Sequence, residues 1–129
     1  MSILFLLCSL IAVVSGQYYY NRFIGIYDLS IWMINPTTVR FKAIIPHNNY
    51  FSIGFGISMT NCDMVLWQAN ENQSMTLDLW SIGESTPVID THQDYNTTYT
   101  FNSTHVTFIS DRVLNTGDSQ DAVIYPVSD

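Results

Sequence analysis

From residue 17 onward the chain is cut into short apolar runs, each closed by polar or turn-forming residues. This pattern limits it more than any other feature does. Runs of about four to eight residues between turn clusters are the mark of strands, and no helical period persists anywhere. Asp28–Ile34 alternates Leu29, Ile31 and Met33 against Ser30, Trp32 and Ile34, then stops at Asn35-Pro36, where proline ends a ladder. Thr38–Ile45 places Val39, Phe41 and Ala43 on one face and Arg40 and Lys42 on the other. Tyr50–Ile57 is apolar on both faces, as a central strand would be, with Gly54 and Gly56 on the smaller face. Met64–Ala69, Met75–Ile82, Tyr99–Phe101, His105–Ser110 and Ala122–Tyr125 continue the series, while Asp90–Asn96 is polar and loop-like. The expected fold is all-β, an antiparallel sandwich. Because the chain stops at Val127-Ser128-Asp129 directly after an apolar run, the sandwich is either complete or lacks its last strand.

Met1–Gly16 is different in kind. It is almost wholly apolar and ends in the small residues Ser15 and Gly16. An apolar core of about a dozen residues is too short for a bilayer span and suits a secretory signal. The expected organisation is a signal peptide over 1–16 and one domain over 17–129, with no span in the mature chain. Removing the signal removes Cys8 and leaves Cys62, expected as a buried thiol or as one half of a disulfide to another segment. Three sequons fit the secretory route, at Asn72, Asn96 and Asn102, each in or beside a turn; Asn35-Pro36-Thr37 is excluded by its proline. A net charge of −7 with four Lys and Arg and no basic patch argues against nucleic acid as a partner.

Chemistry-bearing residues are sparse. Asp63, Asp78, Asp90 and Asp94 bracket strand ends. Two or three carboxylates with backbone carbonyls can hold Ca²⁺. Asp63 and Asp90 are the favoured pair, because each borders an apolar run. The alternative is that each carboxylate caps a turn or accepts backbone N–H groups. The three histidines are scattered, and no activated Ser or Cys motif stands near them, so catalysis is not expected.

The order of these segments resembles the DOMON domain, the module at the N-terminus of dopamine β-monooxygenase and its relatives. The resemblance is carried by the Gly54-Phe55 strand, Met59, the block Asn61-Cys62-Asp63-Met64-Val65-Leu66-Trp67 and Asp78-Leu79-Trp80-Ser81. It continues through Pro87–Asp90, Gln93-Asp94-Tyr95 and the closing set Phe108, Arg112, Thr116-Gly117-Asp118 and Asp121. It implies an immunoglobulin-like sandwich, extracellular or lumenal, that binds haem or sugars or serves as an interaction module. In the haem-binding branch a methionine after the glycine-rich strand and a histidine near the C-terminal end hold the iron. Met59 stands at the methionine position; His47, His92 and His105 do not match the histidine. The resemblance thus implies a secreted, non-catalytic module. One form holds haem b through Met59 and passes electrons to a membrane cytochrome or redox partner. The other is a haem-free domain that binds carbohydrate or a partner and is stabilised by a cation.

Overall fold

The computed structural model describes residues 2–5, 12–14, 17–56, 58 and 60–125, with side chains from residue 21 onward. Among them eleven strands form two sheets: β1 (Ser2–Phe5), β2 (Ala12–Val14), β3 (Gln17–Ile24), β4 (Tyr27–Asn35), β5 (Thr38–Pro46), β6 (Asn49–Phe55), β7 (Thr60–Ala69), β8 (Met75–Ile82), β9 (Val88–Ile89), β10 (Asn96–Phe101) and β11 (His105–Val113). One sheet has the order β1-β6-β7-β8-β9 and the other β10-β11-β5-β4-β3-β2. Pairing is antiparallel throughout except between β1 and β6. The expected all-β sandwich is what the chain forms.

Local chemistry sets the turns. Asn35 Oδ1 accepts from the Thr37 amide at 2.9 Å, so the chain reverses around Pro36, where β4 ends. Gly25 takes a φ of +61° between β3 and β4, a conformation that glycine adopts without a Cβ penalty. Asn48, at φ +62°, fills the same role between β5 and β6.

Strand alternation then builds the core. Leu29, Ile31 and Met33 of β4, Val39, Phe41, Ala43 and Ile45 of β5, and Val106 and Phe108 of β11 face Phe51, Ile53 and Phe55 of β6 and Val65, Trp67 and Ala69 of β7. Trp67 is fully buried between the sheets. It stacks on Phe51 at 6.3 Å and tilts against Phe41 at 6.1 Å. Its indole N–H donates to Ser110 Oγ at 2.9 Å, and Ser110 in turn pairs with the Thr97 hydroxyl at 2.8 Å. On the outer face of the five-stranded sheet, Cys62, Met64 and Leu79 form a second buried cluster flanked by Leu66 and Leu77. Cys62 is a free, buried thiol whose pKa burial pushes up.

Two expectations are corrected. β10 begins at Asn96, not Tyr99, because its ladder with β11 runs on to Asp111. Ala122–Tyr125 is not a strand. Its backbone groups are taken by side chains instead: Ala122 N–H donates to Asp63 Oδ2 at 2.9 Å, and Ala122 C=O accepts from Arg112 at 2.6 Å. The segment 114–125 is therefore a strap, pinned by Ile124 N–H to Leu114 C=O at 2.9 Å and by the burial of Ile124 in the core.

Trp67→Ala is expected to destabilise the domain by about 3–5 kcal/mol through lost packing. Ser110→Ala, which leaves the indole N–H unpaired, should cost about 1–3 kcal/mol. Urea unfolding followed by circular dichroism measures both and should rank them in that order.

Candidate functional site

The same alternation that buries Val65 and Trp67 turns Asp63 inward on β7, and Asp78 pairs with Val65 across the ladder on β8. Asp63 is 2% exposed and Asp78 1%. Arg112 enters the same space from the opposite sheet, as the inward residue of β11 after Ser110, and is itself 2% exposed. The strap supplies Asp121, whose side chain is 1% exposed. Four elements thus deliver charged groups to one end of the sandwich.

The geometry is specific. Arg112 Nη2 lies 3.5 Å from Asp63 Oδ2 and 3.7 Å from Asp121 Oδ2. The guanidinium carbon sits 5.9 Å from the ring centres of both Phe55 and Tyr95. Asp121 Oδ2 also accepts from the Thr116 hydroxyl. Asp78 holds the loop before β10. Its carboxylate accepts from Asp94 N–H at 3.1 Å, and its amide donates to Gln93 Oε1 at 2.8 Å. Gln93 returns its amide nitrogen to the carbonyls of Asp78 and Asp90.

These bonds do not satisfy the cluster. Asp63 Oδ1, Asp78 Oδ1, Asp121 Oδ1, Asp94 Oδ2 and Tyr95 Oη are buried with no hydrogen-bond partner among the described residues, and so are Nε and Nη1 of Arg112. Asp63, Asp78 and Asp121 each bring a carboxylate oxygen within 4.8 Å of the other two. Burial pushes the Asp63 carboxyl up to about 7, against the pull of Arg112 and the Ala122 amide, and Asp121 and Asp90 add to the rise. Burial likewise raises Asp78 to about 7, with Asp121, Asp63 and Asp90 adding to the effect. A buried ionised carboxylate accepts hydrogen bonds only, so the crowded oxygens require protons or a cation between them.

The two favoured metal residues do not share one group. Asp63 joins Asp78 and Asp121, whereas Asp90 joins His92 and Asp118 a short way off. Asp90 Oδ1 accepts from His92 N–H at 3.0 Å, and His92 Nδ1 lies 3.0 Å from Asp118 Oδ2. In the sequence Asp78 reads only as a strand-end carboxylate, and its inward turn is not legible, because the apolar residues beside it, Leu77 and Leu79, pack on the outer face. Asp121 carries no signal either, because the segment around it has no periodicity.

Met59 lies outside the described residues. Among the histidines, His47 and His105 sit at the opposite end, at the turns that open β6 and β11. There His47 Nε2 donates to Asn102 C=O at 2.6 Å and His105 Nδ1 meets the Thr104 hydroxyl at 2.7 Å. Only His92 lies at the cluster's end. The cavities there are lined mainly by polar side chains. One of about 440 Å³ lies beside His92, Asp94, Thr116 and Asp118, and one of about 210 Å³ beside Asn61, Asp63, Trp80 and Gln120. A third cavity there, of about 530 Å³, is bounded by Thr38, Gln93, Tyr95, Asp111, Arg112 and Val113.

A family model for the DOMON domain matches residues 25–128. The cytochrome domain of Myriococcum thermophilum cellobiose dehydrogenase shares the fold, with a TM-score of 0.56 at 14% identity. The match covers 75% of this chain and 55% of that one, so the chain spans about half the length of its structural neighbour. No curated protein matches the sequence.

The raised carboxyls fix a pH dependence. The folded chain holds protons on Asp63 and Asp78 up to about pH 7, whereas the unfolded chain releases them near 3.8. The folded state therefore binds more protons across this window, and stability must fall as pH rises through it. In chelator the urea midpoint should decline from pH 4 to 7, and Asp78→Asn should flatten the decline. A midpoint that rises over that range would contradict the assignment.

Proposed function

The chain belongs to the DOMON domain family, and on that premise we propose that it is a secreted, non-catalytic binding module whose carboxylate cluster holds a hard divalent cation of the Ca²⁺ class. DOMON domains are binding modules. The observation that carries the cation is the set of buried, unpartnered oxygens on Asp63, Asp78 and Asp121. Three carboxylates and one guanidinium, all almost wholly buried, leave two negative charges. One divalent cation matches that charge. Ca²⁺ takes six to eight oxygen ligands, so backbone carbonyls or water would complete the shell.

In this reading the three aspartates bind the ion, and Arg112 keeps Asp63 and Asp121 facing each other. The cation would lock β7, β8 and the strap into one body. The neighbouring 210 Å³ cavity offers the Trp80 side chain with Asn61 and Gln120. An aromatic ring with amide groups is the chemistry that takes a carbohydrate ring, and we assign the ligand or partner contact to this end. In the same secreted reading the signal peptide over 1–16 is cleaved and takes β1 and β2 with it, so that the mature sandwich begins at β3, and Asn72, Asn96 and Asn102 carry glycans.

A second reading, haem b with Met59 as an axial ligand and transfer to a redox partner, is favoured by the fold shared with a cytochrome domain. Met59 lies outside the described residues, and His92 is the histidine at the cluster's end.

The chain purified from a secretory host and stripped with chelator should gain thermal stability as Ca²⁺ is added at pH 7.5, by about 2.7 kcal/mol at a hundredfold excess over Kd. Asp121→Asn and Asp63→Asn should each abolish the gain. An unchanged melting curve at millimolar Ca²⁺ would remove the cation. Added hemin should give no sharp reduced α and β bands; such bands, lost in Met59→Ala, would establish the second reading instead.

A further inference from the structure

β10 is the outermost strand of the six-stranded sheet, paired with β11 on one side and with no described strand on the other. Such an edge presents unpaired backbone N–H and C=O groups to any other chain. Folded proteins usually blunt an edge with a charge, a proline or extreme shortness. β9, at the edge of the other sheet, is two residues long. β10 uses none of these devices. Its six residues, Asn96-Thr97-Thr98-Tyr99-Thr100-Phe101, include no charge, no proline and no glycine. They are rich in β-branched and aromatic side chains, the composition that favours pairing between identical segments.

Two sequons flank this strand, and a third, distant in sequence, meets it. Asn96 is its first residue, and Asn102 follows its last. The Tyr99 hydroxyl, midway along, donates to the Asn72 carbonyl at 2.8 Å. All three asparagines are exposed, as are Thr98, Thr100 and Phe101. At Asn102 the amide N–H groups of Thr104 and His105 and the Thr104 hydroxyl all donate to Oδ1. This leaves Nδ2, the atom that carries an N-linked glycan, with no protein partner. Asn35 makes the same pair of bonds with Thr37, at 2.9 and 3.0 Å, but with Pro36 between them. It lies on another turn and serves as an internal control that should stay unmodified.

We propose that N-linked glycans on Asn72, Asn96 and Asn102 fence the open edge of β10 and prevent its antiparallel pairing with β10 of a second copy. Two copies of one strand meeting about a twofold axis would extend the sheet across the dimer, a self-complementary arrangement. The proposal rests on the secreted reading above, since only that route attaches these glycans.

The test compares the protein secreted into the medium of a eukaryotic host with the same folded protein after endoglycosidase trimming to single sugars. Intact mass gives occupancy and sedimentation velocity gives the association state. Three occupied sites with Asn35 bare, a monomer before trimming and a dimer after it, are expected. Thr100→Lys, which adds a charge to the edge outside every sequon, should return the trimmed protein to monomer. Because trimming acts on folded protein, no substitution in the Asn102 turn is needed. A trimmed chain that stays monomeric overturns the proposal, and so does an untrimmed chain that dimerises equally. Secreted protein with bare asparagines overturns it while leaving the secreted reading intact. Failure to appear in the medium overturns both.

Discussion

Arg112 is the group on which this end of the sandwich depends. It comes from the six-stranded sheet and spends its charge on the five-stranded one, at Asp63, and on the strap, at Asp121 and the Ala122 carbonyl. A guanidinium suits this position because it is planar, always charged and rich in donors. It fits between Phe55 and Tyr95 as a flat body while directing one edge at two carboxylates and a carbonyl. An ammonium could not stack in this way. Arg112 takes the Ala122 carbonyl and Asp63 its amide, so Ala122 is the point where both sheets are tied to the closing segment.

Buried ion pairs are weak evidence for stability, since desolvation offsets much of the attraction. A hydrophobic set of the same volume would close this end as well. The cluster also exceeds what its arginine can neutralise, so it is poorly explained as a structural pair alone. Proton occupancy and cation binding are two answers to the same surplus, and they are linked. Carboxyls raised to about 7 hold protons in the ion-free state, and a cation must displace them. Cation affinity therefore rises with pH as those protons leave, and is greatest above about 7, where the ion-free fold has lost the stability that the protons gave it.

The fold was largely legible because its strands are patterned with period two. Leu29, Ile31 and Met33, then Val39, Phe41 and Ala43, lie inward as their alternation requires. The cluster was legible in part. Asp63 stands on the inward phase of an apolar strand, with Val65 and Trp67, where a carboxylate contradicts the pattern and so marks itself; Asp78 does not, because it alternates with Leu77 and Leu79, which pack on the outer face. Asp90 was favoured for bordering an apolar run, yet the loop that follows turns it toward His92 and Asp118. The strap was the least legible, because side chains on two other elements, β7 and β11, take up the backbone groups of Ala122. No local pattern encodes a bond from Arg112 to a carbonyl ten residues later.

The sandwich is closed differently at its two ends. At one, the turns that open β6 and β11 are held by hydrogen bonds, such as His47 to Asn102, within the chain's own loops. At the other, charge is concentrated, oxygens are left without partners, and the closing strap depends on side chains. A fold needs only the first kind of end. The second is a cost in stability that the packing of Trp67, Phe41 and Phe51 must offset, and that cost is where a binding module's function is expected to reside. The open edge of β10 belongs to neither end, so what covers that edge is set independently of what the cluster holds.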